Sequence, residues 1–286
     1  MHGLLDWEIG EILALAREWG EIDASHRKLA HRGSYEQRVW VSAATVFRVL
    51  LAHGQILPHR PAREARARTP WPDWVSYRPN QVWGYDLTAF TAARTQALAI
   101  VDLVSRKWID HLLCPEATTI QVQALFTRAL DHEGLLEGII GRTERPADPA
   151  DPDPDQPVLL AVSDNGPQMT SGKTREFMAL HAIATHYGRP GVPTDQALIE
   201  SFFGHLKHDW SYLEQITDPG VLDAELKAVR DVYNNTRLHA GIGYVTPADE
   251  HAGRGPNIRH ARRLGLQRAR DARLAYHRNH KNHHNP

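Results

Sequence analysis

The chain has 286 residues, 42% of them hydrophobic, and a formal net charge of −1. That composition belongs to an ordinary globular protein with enough apolar side chains for about two domains, and no run approaches the ~18 continuous apolar residues of a membrane helix. A single cysteine, Cys114, excludes an intrachain disulfide and fits a reducing compartment; a Cys-His zinc pattern and a secretory apolar segment are absent as well.

The near-neutral balance hides a patterned distribution. Nine Lys/Arg stand against Asp271 between Arg254 and Pro286, and five Arg against Glu64 and Asp73 between Pro58 and Asn80. Five acids crowd between Glu144 and Asp155. Each run alone reads as a solvated face; together they describe basic flanks and one acidic loop.

In chain order, Leu4, Leu5, Ile9, Ile12, Leu13, Leu15, Ala16 and Trp19 fall at helical spacing. A second short helix is predicted over 25–31 with Ser25 as N-cap, and a third from the N-cap Ser42 to about His53, closed by Gly54. In the third, Val46, Val49 and Leu50 face inward and Thr45 and Arg48 outward. Short helices joined by a Gly-containing link (Gly33 to Val41) fit a helix-turn-helix whose last helix enters a DNA groove, and fit a plain helical bundle equally well. Residues 55–80, rich in Pro and Arg and without periodicity, read as a linker whose arginines could track phosphates.

Three strand-like runs follow, Val82 to Phe90, Gln96 to Leu103 and Lys107 to Leu113, with breaks short enough for an antiparallel meander. Thr118 to Glu133 is a helix with Val122, Leu125, Phe126, Ala129 and Leu130 on one face. The Pro-Asp stretch 142–157 cannot bury a core and is expected to be a mobile insertion. Val158 to Val162 is a buried strand, Ser171 to Leu180 a helix capped by Ser171, and Ile183 to His186 a short strand before the Gly/Pro loop 188–193. Asp195 to Trp210 is a long helix with the stripe Leu198, Ile199, Phe202, Phe203 and Leu206; Glu200 and Lys207, two turns apart, share a second face. Another helix spans about Val221 to Asn234. The basic tail is expected to be helical near Arg262 to Tyr276; its closing His280, His283 and His284 could bind a metal but fit a frayed end better.

Three strands, helix, strand, helix, strand, helix is a mixed α/β order with helices covering the sheet. Asp86 falls within the first strand, Asp164 at the end of the fourth and Glu200 on the helix after the fifth. The Asp164-Asn165-Gly166 turn carries little meaning alone. Three carboxylates brought together resist joint ionisation without a cation, and hard divalent cations take oxygen ligands. Asp102 also sits near a strand end, where a structural hydrogen-bonding role is the expectation.

At these residues a resemblance enters. Asn80-Gln81-Val82-Trp83-Gly84-Tyr85-Asp86-Leu87-Thr88 resembles the first-strand motif of insertion-sequence transposases with a retroviral-integrase-like core, and Val101 to Arg106 resembles their second-strand ending. Ser163-Asp164-Asn165-Gly166-Pro167-Gln168 is similar to their second Asp motif, and Asp195 to Lys207 to their Glu helix, with thirty-five residues between Asp164 and Glu200. Tyr233 to His239 and Gly243 to Pro247 resemble their C-terminal signature. The resemblance spans about residues 25 to 252.

It implies a ribonuclease-H-like α/β core at 81–252, preceded by a small all-α helix-turn-helix region at 1–57 and a linker at 58–80, and followed by a basic tail at 253–286. It implies a triad of Asp86, Asp164 and Glu200 holding two Mg²⁺ ions, with Mn²⁺ able to substitute. The activity implied is a DDE transposase's: DNA 3′-end cleavage, then direct strand transfer. Lys207, Asn165 and Gln196 would contact DNA or orient carboxylates, with Thr45, Arg48 and Arg237 as further DNA contacts. His186 and His205 are chance neighbours in a chain with 18 histidines. Implied partners are duplex DNA at element ends and target, further copies of the chain, and an upstream-frame DNA-binding subunit, in a bacterial cytoplasm at the nucleoid and not at a membrane. Departures are the loop 191–197, the low overall charge and the acidic insertion, expected to be dispensable. The rival classes are an inactive or domesticated DNA-binding remnant and a stand-alone nuclease; metal-dependent joining of DNA ends separates the first reading from both.

Overall fold

The computed structural model describes residues 3–55, 75, 77–139, 157–187 and 197–282. Most of the 58–80 linker, the acidic stretch 142–156, the loop 188–196 with Gln196, and His283 and His284 lie outside the described residues, as does the side chain of Leu198. The chain divides into two compact units: Ala65–Asn234, and Met1–Glu64 together with Asn235–Pro286.

The first of these units is built on a five-stranded sheet. Strands β1 (Val82–Phe90), β2 (Thr95–Asp102) and β3 (Trp108–Cys114) form an antiparallel meander. The turns between them need left-handed backbone, which Arg94 and Arg106 supply at φ 50° and 67°. After α4 (Thr119–His132), β4 (Leu159–Ser163) enters beside β1 and parallel to it. Helices α5 (Pro167–Thr170) and α6 (Gly172–Leu180) then lead to β5 (Ile183–Tyr187), parallel to β4. The order is β3-β2-β1-β4-β5. Helices α7 (Ala197–Asp209) and α8 (Pro219–Asp231) complete the unit. Three antiparallel strands extended by two parallel ones, with helices on both faces, make this a ribonuclease-H-like α/β fold.

Strand alternation sorts the side chains into two cores. Val82, Ala97, Ala99, Val101, Leu160 and Val162 pack against Ile199, Phe202, Phe203 and Leu206 of α7 and Leu222, Leu226 and Val229 of α8. Trp83, Tyr85, Leu98, Ile100, Leu159 and Ala161 pack against Val122, Leu125, Phe126 and Ala129 of α4 and Met178 of α6. Covered on both faces, the central strands need apolar residues at every position, and Ala97 to Val101 are all buried. Each fully buried Leu, Ile or Phe here contributes about 1.5–3 kcal/mol of transfer free energy. Thr118 and Gln121 start α4 with a capping box, and the Tyr85 ring meets Phe126 edge-on at 4.8 Å.

The other unit holds α1 (Asp6–Trp19), α2 (His26–Tyr35) and α3 (Ala43–Ala52) around Ile12, Leu15, Leu29, Val39, Val46 and Leu50. Ser25 and Ser42 cap α2 and α3, their hydroxyls accepting from Lys28 N (3.1 Å) and Thr45 N (3.2 Å). After α9 (Pro247–His251), α10 (Gly255–Asn282) runs for 28 residues. The division by sequence differs here: the basic C-terminal stretch belongs to one compact unit with the N-terminal helices. It is held there by arginines. Arg262 donates to Ser34 Oγ (2.9 Å) and to the carbonyls of Gly243 (2.9 Å) and Tyr244 (2.8 Å). Arg273 donates to both carboxylate oxygens of buried Glu8, Nε at 2.9 and 2.8 Å and Nη2 at 2.8 Å, and to Trp40 O at 2.7 Å. Gly265 lies where an added Cβ would stand 2.0 Å from the Trp40 ring nitrogen, so only glycine permits this approach. The helix is longer than the predicted 262–276 because these contacts, not an apolar stripe, fix it.

Candidate active site

Asp86 lies mid-way along β1, on the strand's even-numbered side. Val82 on that side packs toward α7 and α8, whereas Trp83 and Tyr85 face α4. On β4, Leu160 and Val162 likewise face α7. The parallel register pairs Val82 with Leu160, Trp83 with Ala161 and Gly84 with Val162, an offset of 78. Two residues beyond the last pair, Asp86 on β1 and Asp164 just past the end of β4 follow the same alternation toward the α7 face. Gly84 lets the Leu103 side chain pack onto β1: an added Cβ would stand 2.8 Å from it.

Glu200 reaches this face from the first turn of α7. Its neighbours Ile199, Phe202, Phe203 and Leu206 are buried against the sheet, which fixes the helix and leaves Glu200 exposed beside the strand ends. Phe202 meets the Trp108 ring edge-on at 5.0 Å and the Tyr233 ring at 5.4 Å, so three aromatic groups from α7, β3 and the turn after α8 hold the helix in place.

The electrostatics report that the three carboxylates share one neighbourhood. Asp86 is half-buried, and its carboxyl is pushed up to about 6. Burial is the largest cause; the negative charges of Asp164 and Glu200 raise it further, and a 2.8 Å hydrogen bond from Leu87 N only partly offsets them. Asp164 Oδ1 accepts from Gly166 N at 2.9 Å, which orders the Asp-Asn-Gly turn. An all-carboxylate donor set is chemically suited to a hard divalent cation. Among the described residues, no three such side chains already stand at the mutual distances of a metal cage.

The other predicted residues are placed unevenly. Lys207 Nζ donates to Ala89 O at 2.8 Å, lies 3.0 Å from Glu214 Oε1 and stands 5.3 Å over the Phe90 ring. It therefore ties α7 to the end of the strand that carries Asp86. Asn165 is exposed next to Asp164. His186 pairs with Val162 across β4 and β5, which puts it on the α7 face, while His205 Nδ1 is 2.6 Å from Ser201 O on the outside of the same helix. Thr45, Arg48 and Arg237 belong to the other unit; Arg48 is exposed, its Nε donating to Ala44 O at 3.3 Å.

Asp102 is structural, as expected. It is fully buried, and Oδ1 accepts from Val104 N (2.9 Å), Ser105 N (2.6 Å) and Ser105 Oγ (2.9 Å), while Oδ2 accepts from Asn80 N (2.5 Å). It also pairs with Trp83 across the sheet and so shares the α4 face, opposite Asp86.

Two further residues, Asn234 and Asp110, support this site. Asn234 accepts from Trp108 N at 2.8 Å and donates to Trp108 O at 2.9 Å, completing the edge of β3 as a neighbouring strand would. Buried Asp110 accepts from Arg128 and, at 2.6 Å, from Arg230; burial alone would raise its carboxyl, but these guanidiniums outweigh it and hold it below the ordinary range. A polar residue closing the amphipathic 221–234 run was the only available hint of the first.

Residues 76–193 and 181–247 match two family models, each described as "Integrase core domain". The span 76–247 is thus an integrase core domain. The chain is related to insertion-sequence transposases built on a retroviral-integrase-like core. It is 26% identical over 174 residues to "Transposase for insertion sequence element IS904" of Lactococcus lactis, a match covering 60% of this chain and 61% of that one. It is 23% identical over 174 residues to "Insertion element IS407 uncharacterized 31.7 kDa protein" of Burkholderia multivorans, covering 60% and 55%. The chain thus spans little more than half the length of these relatives. Among solved structures, the catalytic core domain of BIV integrase is similar at 22% identity with a TM-score of 0.41, over 61% of this chain and 95% of that one. The HTLV-2 integrase catalytic core domain in complex with magnesium is similar at 19% identity with a TM-score of 0.41, over 61% and 97%.

Proposed function

We propose that this chain is a DDE-type polynucleotidyl transferase that cuts DNA at the end of a mobile element and joins the freed 3′ end to target DNA. What supports this reading is half-buried Asp86 on the sheet face toward α7, its carboxyl raised in part by the charges of Asp164 and Glu200, within a stretch that matches an integrase core domain. In the first step a water oxygen attacks the phosphorus at the element end and the P–O3′ bond breaks, leaving a 3′-hydroxyl on the element and a 5′-phosphate on the flank. In the second, that hydroxyl attacks a target phosphodiester and displaces the target's 3′ oxygen. One phosphodiester replaces another, so no energy source and no covalent enzyme intermediate are needed.

The three carboxylates would hold the two Mg²⁺ ions, or Mn²⁺ in their place, which when bound activate the attacking oxygen and stabilise the departing one. The chain's own residues do the rest. Asp86 presents its carboxylate from β1, Asp164 from the turn that follows β4 and Glu200 from α7, and Asn165 and Gln196 would orient DNA. Lys207 fixes α7 against β1 and offers a point charge to a nearby phosphate. Thr45, Arg48 and Arg237 contact DNA from the other unit. Such a reaction fits a multimer on paired element ends, working at the bacterial nucleoid, with an upstream-frame DNA-binding subunit as a further partner.

The test is strand transfer by purified chain with Mg²⁺ or Mn²⁺ and a labelled duplex carrying a candidate element end, comparing wild type with Glu200→Gln. Gln keeps the shape and removes the charge. Joined product from wild type alone is the expected result. Equal product from both would remove Glu200 from the site, and DNA binding without product from either would favour the inactive remnant.

A further inference from the structure

The arginines of α10 fall into two sets. Arg259, Arg262 and Arg273 are spent: they hold Glu250, the Gly243 and Tyr244 carbonyls, and Glu8 respectively. Arg263, Arg268, Arg270 and Arg278 are exposed. Among the described residues no carboxylate meets any of these four, and only Arg263 has a neighbour, His260 Nδ1 at 3.5 Å. At 3.6 residues per turn, Arg263, Arg270 and Arg278 lie within about 80° of one another, away from the side anchored by Arg262, Gly265, Ala269 and Arg273. They span about 22 Å of helix, or about seven base pairs of duplex at 3.4 Å each. The helix expected to meet DNA is built differently: α3 exposes Phe47 (46%) and Leu51 (51%), and Arg48 is its one cation.

We infer that the outward face of α10 is a phosphate-tracking surface for duplex DNA, formed by Arg263, Arg270 and Arg278. The inference rests on the DNA-processing proposal above and moves the main electrostatic contact of this unit from α3 to α10. Guanidiniums with no carboxylate partner among the described residues, on a helix clamped along its other side, form a cationic row. Such a row reads the backbone and not the bases, so it contributes affinity at any sequence.

The experiment measures binding of the full chain to a labelled random duplex by fluorescence anisotropy across a KCl series. The variants are Arg263→Gln/Arg270→Gln/Arg278→Gln, the same triple to Lys, and Arg48→Gln. Losing three phosphate contacts lowers the slope of log K against log salt by about 2.7, so between 50 and 200 mM salt wild type should lose roughly 40-fold more affinity than the Gln triple. The Lys triple should keep the wild-type slope, and circular dichroism should show unchanged helix content because all three side chains are exposed. If the triple is poorly folded, each single Gln variant should lower the slope by about 1. A Gln triple with the wild-type slope, or a slope lost only in Arg48→Gln, overturns the inference while leaving the DNA-processing proposal standing. Wild-type chain that binds no duplex overturns both.

Discussion

Replacing Asp86 by Asn should make the metal-free protein more stable at neutral pH, although it removes a carboxylate from the site. In the folded chain this carboxyl is raised from 3.8 to about 6 by burial and by the charges of Asp164 and Glu200. A carboxyl raised on folding favours the folded state in its protonated form. That contribution is complete below pH ~4, declines as pH rises through about 6, and is gone at pH 8. At about 1.36 kcal/mol per unit, the ionised form disfavours folding by an upper figure of roughly 3 kcal/mol at pH 8 relative to pH 4. Asn keeps an acceptor for Leu87 N and never ionises. Urea unfolding in EDTA at pH 5 and pH 8, followed by tryptophan fluorescence (Trp83 and Trp108 are buried in this unit), measures the difference. Wild type should lose stability between the two pH values, and Asp86→Asn should lose much less. Adding Mg²⁺ at pH 8 should restore wild type and not the variant, because a cation that binds only the folded state stabilises it by mass action. If Asp86→Asn proved less stable than wild type at pH 8 without metal, burial and its acidic neighbours would not be raising the Asp86 carboxyl, and this support for a bound cation would fail.

Two further changes test the supports. Asn234→Ala strands the backbone N–H and C=O of Trp108, both buried, and should cost about 2–4 kcal/mol in urea unfolding; a loss under ~0.5 kcal/mol would show that the edge of β3 is held otherwise. Arg273→Ala leaves Glu8, 3% exposed at its side chain, without its paired guanidinium and should destabilise the helical unit by roughly 3 kcal/mol, whereas Arg278→Ala on the free face should be neutral. Equal effects would mean that the two sets of arginines are not distinct.

Local chemistry was legible in the sequence. Ser25, Ser42 and Ser171 were readable as N-caps because a side-chain oxygen placed before an apolar-periodic run has one local use, and all three accept the expected backbone hydrogen bond. The meander was readable from apolar runs separated by short breaks. The helix expected from Val221 starts two residues earlier, because Asp218 accepts from Val221 N as its cap and Pro at the first helical position suits an end whose N–H has no partner. Asp86, Asp164 and Glu200 could be singled out by residue type and position along the chain, but spacing says nothing of faces. That Asp86 and Asp164 lie toward one face depends on β4 entering parallel to β1 with an offset of 78, a pairing between segments far apart in sequence that no local pattern encodes. The same non-local packing separates Asp86 from Asp102, which lie on opposite faces of one sheet. It also sorts the arginines of the expected tail helix into anchored and exposed ones, because whether an arginine is spent depends on the carboxylate or carbonyl that the fold brings to it.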